Sequence, residues 1–516
     1  MKKFRLSSWL GQGHSANGTD ATAQDIADQK KQNRRSFSGL SRRSKREPAP
    51  APATSAAPEE KVEQDNTPSR MVTLANTIST ETAKLQAYLH ANGLPDPGFG
   101  VDAPKDFPAL PDDMQRTRRA IMAAARELES LTMGPREIVR WGAWSHLDSL
   151  SLQVACSYGL AKLVPFEGSI ALTELQSKTT LDPVNVARIL RHNMTNYIFC
   201  EPSPGFIAHT SASRQLAEDT ALQAWVGFNT EDLFPSAAHS LQALKAHPEA
   251  TSLTRAGFNF AFGTVDKEPM FATLSKDPTR AQRFGRAMVS LTGGEGYEVS
   301  YFVDSYDFAS LNEQEGTFVD IGGSHGFVCV ELAKKWDKMK FIVQDLPKML
   351  DSAPNPICGD EAAAKRIQLQ PHDFFTKQPA EGADVYYFRW IFHNYSTPYA
   401  VSILKNLVPA LKPGARIIIN DICIREPGSE TPWDEKLVRG MDLVMLSLLN
   451  AQERTEEEFR GLFAAADEGY SFKGVTRVSG CRMSVVEAVW EPKTEVAAVE
   501  EPNPEETKPE ETKAEE

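Results

Sequence analysis

From Thr317 onward, short β-rich runs alternate with helical stretches: "TFVDIG", "KFIVQDL", "RIQLQPHDF", "ADVYYFRWI" and "ARIIINDICI". Strands and helices that alternate in this way can bury their apolar faces in few arrangements. The pattern predicts an α/β fold built on a doubly wound, mostly parallel sheet. Two last runs, "FKGVTRV" and "MSVVEAVWE", lie close together and are expected to close one sheet edge antiparallel. No internal repeat is visible. Ligands of such sheets sit beyond the carboxyl ends of the strands, so the turns after these runs are where chemistry is to be sought.

The turn after the first run is Gly322-Gly323-Ser324-His325-Gly326. A triphosphate-binding loop ends in Gly-Lys-Ser/Thr, and that lysine is missing. A dinucleotide fingerprint needs G-x-G-x-x-G; counted from Gly322, its later glycines fall on Ser324 and Phe327. The pattern that fits is acid-x-Gly-x-small-x-Gly, with Asp320, Gly322, Ser324 and Gly326. It resembles the first motif of S-adenosylmethionine methyltransferases, where an acid ahead of the turn answers a cationic ligand. Asp345 ends the second run, 23 residues after Gly322. A carboxylate there can accept both ribose hydroxyls; the other reading is a helix N-cap ahead of Pro347. Asp373 closes the third run, where it can accept from an adenine amino group while Phe374 covers the ring. The other reading is an ordinary strand-end aspartate.

The N-terminal half is helical. "MVTLANTISTETAKLQAYLHANG" and "DDMQRTRRAIMAAARELESLTMG" space their apolar residues by three and four and end in glycine. "REIVRWGAWSHLDSLSLQVACSYGLAKLV" is longer and more apolar, which predicts a buried helix. Next come a short helix at "SIALTELQSKT", a second capped by Asp182 with Pro183 in its first turn, and a hairpin at "YIFCEPSPGFIAHT". Helix, turn, helix and hairpin make a winged helix. Its second helix offers only Arg188, Arg191 and His192 to a base, and the "PSPG" wing has no cation for phosphates. A structural or dimerising role fits better than DNA binding. Helices are also expected at Leu222–Leu233, Ser240–Lys245 and Pro278–Ser290.

The two ends are compositionally biased. Residues 1–46 hold eleven Lys/Arg against three Asp, and a Pro/Ala-rich stretch follows. From Glu491 to the end there are ten Glu and three Lys, with too little apolar surface to offset the entropy of ordering. Residues 1–70 and 493–516 are therefore expected to be disordered tails. The net charge of -13 argues against a nucleic-acid partner. No run of about 18 apolar residues exists to span a membrane, and no apolar secretory segment follows Met1. Six scattered cysteines with no C-x-x-C pair suit a reducing, cytoplasmic setting.

The stretch "ADVYYFRWIFHNYSTPYAVSILKNLVPALKPGARIIINDICI" resembles the metal-independent plant and fungal small-molecule O-methyltransferases, the caffeic-acid and polyketide-phenol type. That family carries a basic residue, Trp, two apolar residues, His, an acid or amide and an aromatic. Here these are Arg389 through Tyr395. The resemblance implies a Rossmann-like methyltransferase sheet over residues 306–492. It also implies an N-terminal, mostly helical winged-helix domain over residues 71–305 that serves homodimerisation and lines the substrate. S-adenosylmethionine is the implied methyl donor, with no metal, and a small aromatic natural product the implied acceptor. By the same resemblance His393 is the catalytic base, flanked by Asp421 and Glu453. Asp320, Gly322, Gly323, Asp345, Leu346, Asp373, Phe374 and Arg389 are the implied cofactor contacts. Phe284, Met288, Met441, Asp442 and Met445 are the implied substrate contacts. Ser324-His325 stands where the family has a Gly-Thr pair, and Asn394 where it commonly has Asp.

Elementary chemistry says what such a site must do. A phenol has a pKa near 10 and a histidine near 6.5, so unassisted proton transfer is uphill by about 3.5 units, roughly 5 kcal/mol. A carboxylate bonded to the far ring nitrogen stabilises imidazolium and fixes the tautomer, and a nearby opposite charge moves a pKa by about 1 to 3 units. Histidine with two acids is a credible base where histidine alone is not. Two rival readings remain at this level. One is a magnesium-dependent catechol methyltransferase, although those chains are short and lack the dimerisation block. The other is a non-catalytic, cofactor-binding winged-helix regulator.

Overall fold

The structure is a computed structural model that describes residues 68–492. Of the tails expected at 1–70 and 493–516, residues 1–67 and 493–516 lie outside the described residues, whereas Ser69 caps and Arg70 begins the first helix. The described residues open on a helical hairpin, α1 (Arg70–Ala91) packed on α2 (Asp112–Met133). The long apolar segment that follows is not one buried helix. It breaks into α3 (Pro135–Trp144), α4 (His146–Ser157) and a last turn at Leu160–Leu163. No residue of α3 is buried, and Trp141 and Trp144 are 57% and 60% exposed. Apolar spacing tells which face of a helix seeks cover; it does not guarantee that the same chain supplies it.

Next come helices Leu172–Ser177 and Pro183–Met194, and an antiparallel hairpin of Cys200–Ser203 with Phe206–Ala208. Asp182 caps the second helix through the backbone N–H groups of Val184 and Asn185. The second and third residues of the expected short helix, Ile170 and Ala171, instead form a strand on Phe206–Ile207. Leu160, Leu175, Val186, Leu190 and Ile207 make this block's core.

The helix expected at Leu222–Leu233 is α5 (Thr220–Phe228) followed by a π-helical turn, Asn229–Leu233, that leads into α6 (Phe234–Ala246). Pro235 lacks the N–H that would bond to the Glu231 carbonyl in an uninterrupted α-helix, so the ladder widens just ahead of it. α7 spans Pro278–Thr292.

The sheet has seven strands: β1 (Thr317–Ile321), β2 (Lys340–Asp345), β3 (Ile367–Pro371), β4 (Val385–Arg389), β5 (Arg416–Asp421), β6 (Tyr470–Thr476) and β7 (Ser484–Trp490). Their spatial order is β6-β7-β5-β4-β1-β2-β3. The first five run parallel, and β6 and β7 close the edge antiparallel. Strand alternation fills two cores. Tyr386 and Phe388 face α9 (Thr397–Leu407) and α11 (Glu456–Ala466), whereas Val385 and Tyr387 face α8 (Phe327–Lys335). α10 (Pro432–Leu449) leaves this half to pack on α6. The order reverses between β1 and β4. That switch point opens a crevice at the strands' carboxyl ends, where the turns after β1 and β4 meet.

Candidate active site

The turn after β1 holds a backbone that few side chains would permit. Gly322 and Gly326 lie at φ 74° and 73°, and Ser324 at φ 52°. A Cβ on Gly322 would stand 2.5 Å from the Ile391 side chain, and one on Gly323 would stand 2.5 Å from the Asp320 carboxyl. The N–H groups of Gly322 and Gly323 donate to the Gln344 carbonyl at 2.8 and 3.0 Å. Asp345 accepts from the Ser324 N–H at 2.9 Å and the Leu346 N–H at 2.7 Å. Its carboxylate therefore ties the ends of β1 and β2 together, a job the sequence did not assign to it. Asp320 is fully buried, with the Cys329 thiol donating to it at 3.7 Å. Burial pushes its pKa up to about 7, and burial raises Asp345 as well. Phe374 stands beside the glycine turn and packs edge-on against Tyr395. Asp373 takes the Phe375 N–H at 2.9 Å, and Leu346 is exposed.

The turn after β4 carries the base candidate. Trp390 takes φ 57°, which swings the chain into a short 3-10 turn, Phe392–Asn394. His393 is buried there, its Nδ1 2.9 Å from Glu453 Oε1. Its backbone N–H donates to Asp421 Oδ2 at 3.0 Å. The two acids thus hold different parts of the residue: Glu453 the ring, Asp421 the backbone. Glu453 fixes the proton on Nδ1, which leaves the lone pair on Nε2. Burial alone would lower the His393 pKa, but the charge and hydrogen bond of Glu453 and the charge of Asp421 outweigh it, and the pKa is raised. Glu453 is itself raised, chiefly by burial. Asp421 Oδ1 and Glu453 Oε2 are buried with no partner.

Three further residues complete this cluster. Arg454 is fully buried and donates to the carbonyls of Phe392 at 2.7 Å and Tyr395 at 2.6 Å, clamping the 3-10 turn. Trp390 packs on His393 with ring centroids 4.8 Å apart, and Tyr297 packs on Trp390 at 5.5 Å. The indole N–H of Trp390 is buried without a partner. Sequence reasoning missed all three as site residues. Trp390 lies inside the motif that carries His393, and Arg454 adjoins Glu453, so adjacency was the available signal. Tyr297 had none.

Of the expected substrate contacts, Phe284, Met288, Met441 and Met445 meet in one apolar cluster with Phe228, Phe258 and Met270. Met441 also touches the cluster of Tyr297, Trp390 and Ile422, which links this wall to the histidine. Asp442 is placed differently, accepting the Glu453 backbone N–H at 2.9 Å. The Arg389 guanidinium donates to Asn420 and, at 2.6 Å, to the Tyr297 carbonyl. Only its Nε is buried without a partner.

The N–H groups of Gly322, Gly323 and Ser324 are already taken by protein oxygens and two acids lie beside the turn, which suits a positively charged nucleoside rather than a phosphate. Residues 244–471 match the family model of the O-methyltransferase domain. A chlorophenol O-methyltransferase of Trichoderma longibrachiatum is 66% identical over 82% of this chain and 91% of its own length. The chain belongs to the O-methyltransferase family.

Solved structures agree on the fold. OxaC in complex with SAH and oxaline matches with a TM-score of 0.63 and 24% identity, over 82% of this chain and all of its own. A pericyclic reaction enzyme matches at 0.60 with 22% identity, over 81% and 100%. The second likeness shows that the fold alone does not fix the chemistry. The methyltransferase assignment stands on the sequence relatives, and nothing among them favours a non-catalytic regulator. Its methyl donor is S-adenosylmethionine. Among the described residues no helix is long and apolar enough to cross a membrane, and no group of three or more acidic, histidine or cysteine side chains could hold a metal ion.

Proposed function

We propose that this methyltransferase acts on a phenolic hydroxyl of a small aromatic acceptor, with His393 as general base. The observation that carries the reading is the 2.9 Å contact between His393 Nδ1 and Glu453. When bound, S-adenosylmethionine supplies a methyl group activated on a sulfonium. Asp320, Gly322, Gly323, Asp345, Leu346, Asp373 and Phe374 are the residues that would hold it. His393 Nε2 takes the phenol proton. Glu453 stabilises the imidazolium that results, and Asp421 keeps the 3-10 turn in place. Phe284, Met288, Met441 and Met445 form an apolar wall suited to a flat ring, and they exclude water from the proton transfer. The 66% identity to a chlorophenol-methylating relative supports the acceptor class.

The test is a panel of phenols with labelled methyl donor, run on wild type and His393→Ala. The variant is expected to lose about a thousandfold in turnover while binding S-adenosylhomocysteine as before. Wild-type turnover by the variant would remove the base from the mechanism.

The protein works as a homodimer in this reading. What supports it is α3, whose Ile138, Val139, Trp141 and Trp144 form an uncovered apolar face. The winged-helix block then serves assembly rather than DNA. In support, Arg191 of its second helix is held by Glu201 at 2.9 and 3.0 Å, and His192 by Ser151 at 2.9 Å. Six free cysteines fit a cytoplasmic setting.

A further inference from the structure

α7 carries Phe284 and Met288 toward the acceptor wall, yet only one of its residues, Ala287, is buried. Besides the apolar packing of Phe284, Ala287 and Met288, its anchorage is ionic. Arg280 Nε donates to Asp232 Oδ1 at 3.0 Å, and Arg283 donates to Asp232 Oδ2 at 2.7 Å. Each carboxylate oxygen thus takes one arginine, and the two arginines sit one helical turn apart. Asp232 is the innermost residue of the π-turn, with a side chain 1% exposed, whereas the arginines are about one-fifth exposed. Arg283 also pairs with Glu231, and Arg280 lies over the Phe262 ring at 4.5 Å. Gly227 leaves room for this arrangement: a Cβ there would stand 2.9 Å from Arg283 Cδ. Phe284 follows Arg283 directly and packs edge-on against Phe228, the last residue before the π-turn, at 5.2 Å.

The far end of α7 is tied more loosely. Glu295, just beyond it, pairs with Arg118 of α2 at 3.0 Å, but both side chains are partly exposed. An exposed pair contributes little to stability, whereas breaking one side of a buried pair is strongly destabilising. Of the two ionic ties on α7, the one at Asp232 is therefore the tighter.

We propose that Asp232 is a positioning residue for acceptor selectivity: by gripping Arg280 and Arg283 from the π-turn, it fixes where α7 presents Phe284 and Met288. This rests on the reading of those two side chains as the acceptor wall. Asp232 touches neither donor nor acceptor. Its effect falls on how well acceptors of different size fit, and not on cofactor affinity.

The experiment measures kcat and KM for one-, two- and three-ring phenols at saturating donor, and Kd for S-adenosylhomocysteine by calorimetry. Variants are Asp232→Asn, Asp232→Glu and Phe284→Ala. Asp232→Asn is expected to raise acceptor KM about tenfold and to shift the small-to-large selectivity ratio about fivefold, with the nucleoside Kd changed less than about twofold. Asp232→Glu keeps the charge but lengthens the arm, so it regains thermal stability while selectivity stays shifted. Should Asp232→Asn fail to fold, Arg280→Met is measured in its place, because the Arg283 pair survives in it. An unchanged selectivity ratio in the folded variant, with Phe284→Ala shifting that ratio, overturns the role of Asp232. A Phe284→Ala variant that alters nothing overturns the acceptor wall, and the inference with it.

Discussion

An imidazole buried as deeply as that of His393 would by itself lose basicity, because burial penalises the charged form. Glu453 reverses the sign, and the result is a raised pKa. The consequence for rate follows from the direction of that shift. A general base works only when unprotonated, so activity falls as pH drops through the raised His393 pKa, above the ordinary histidine value of 6.5. Glu453→Gln removes the charge that raises it. The acid limb of kcat/KM is then expected to move to lower pH, while the plateau drops about a hundredfold because the imidazolium loses its partner. A pH profile of both proteins checks this, and an acid limb that stays in place would place the effective charge elsewhere. Tyr297 and Arg454 act at the same scale, but Tyr297 left no mark in the sequence and Arg454 only its place beside Glu453, because their roles depend on partners far along the chain. Arg454 reaches back to Phe392 and Tyr395.

At the scale of elements, the strands were the legible part. Seven apolar or alternating runs became seven strands, since strand burial is written directly into local composition. The glycine turn was legible too, because Gly322 sits at φ 74° with no space for a Cβ. Gly322→Ala is expected to weaken S-adenosylhomocysteine binding about tenfold, given a cost of roughly 1 to 2 kcal/mol for a left-handed non-glycine residue. The fold should survive, because the Ile391 side chain can turn aside. Calorimetry and a melting curve separate the two effects. The breaks were less legible. The segment after Gly134 read as one buried helix: its chain of apolar residues hides the break near Ser145, and only Gly159, at φ 60°, marks the one near Tyr158. The π-turn at Asn229–Leu233 was missed because helical periodicity continues through it. Only Pro235 hinted at it.

At the scale of the molecule, the helical half and the sheet meet where the acceptor wall meets the base. α10 contributes Met441 and Met445 to one cluster, and its Asp442 holds the backbone of Glu453. The uncovered face of α3 belongs to this scale as well. Trp141→Glu combined with Trp144→Glu is expected to halve the mass seen by light scattering, with far-ultraviolet dichroism unchanged. A dimer that persists in the double variant would move the interface away from α3.

The sharpest test of proton abstraction by His393 varies the acidity of the acceptor. One phenol should be fully protonated at the assay pH, and a second, acidified by several chlorines, fully ionised before it binds. If the histidine serves to remove the proton, His393→Ala loses about a thousandfold on the first acceptor and only about tenfold on the second. Equal losses on both acceptors would mean that the ring positions the acceptor without ever taking its proton.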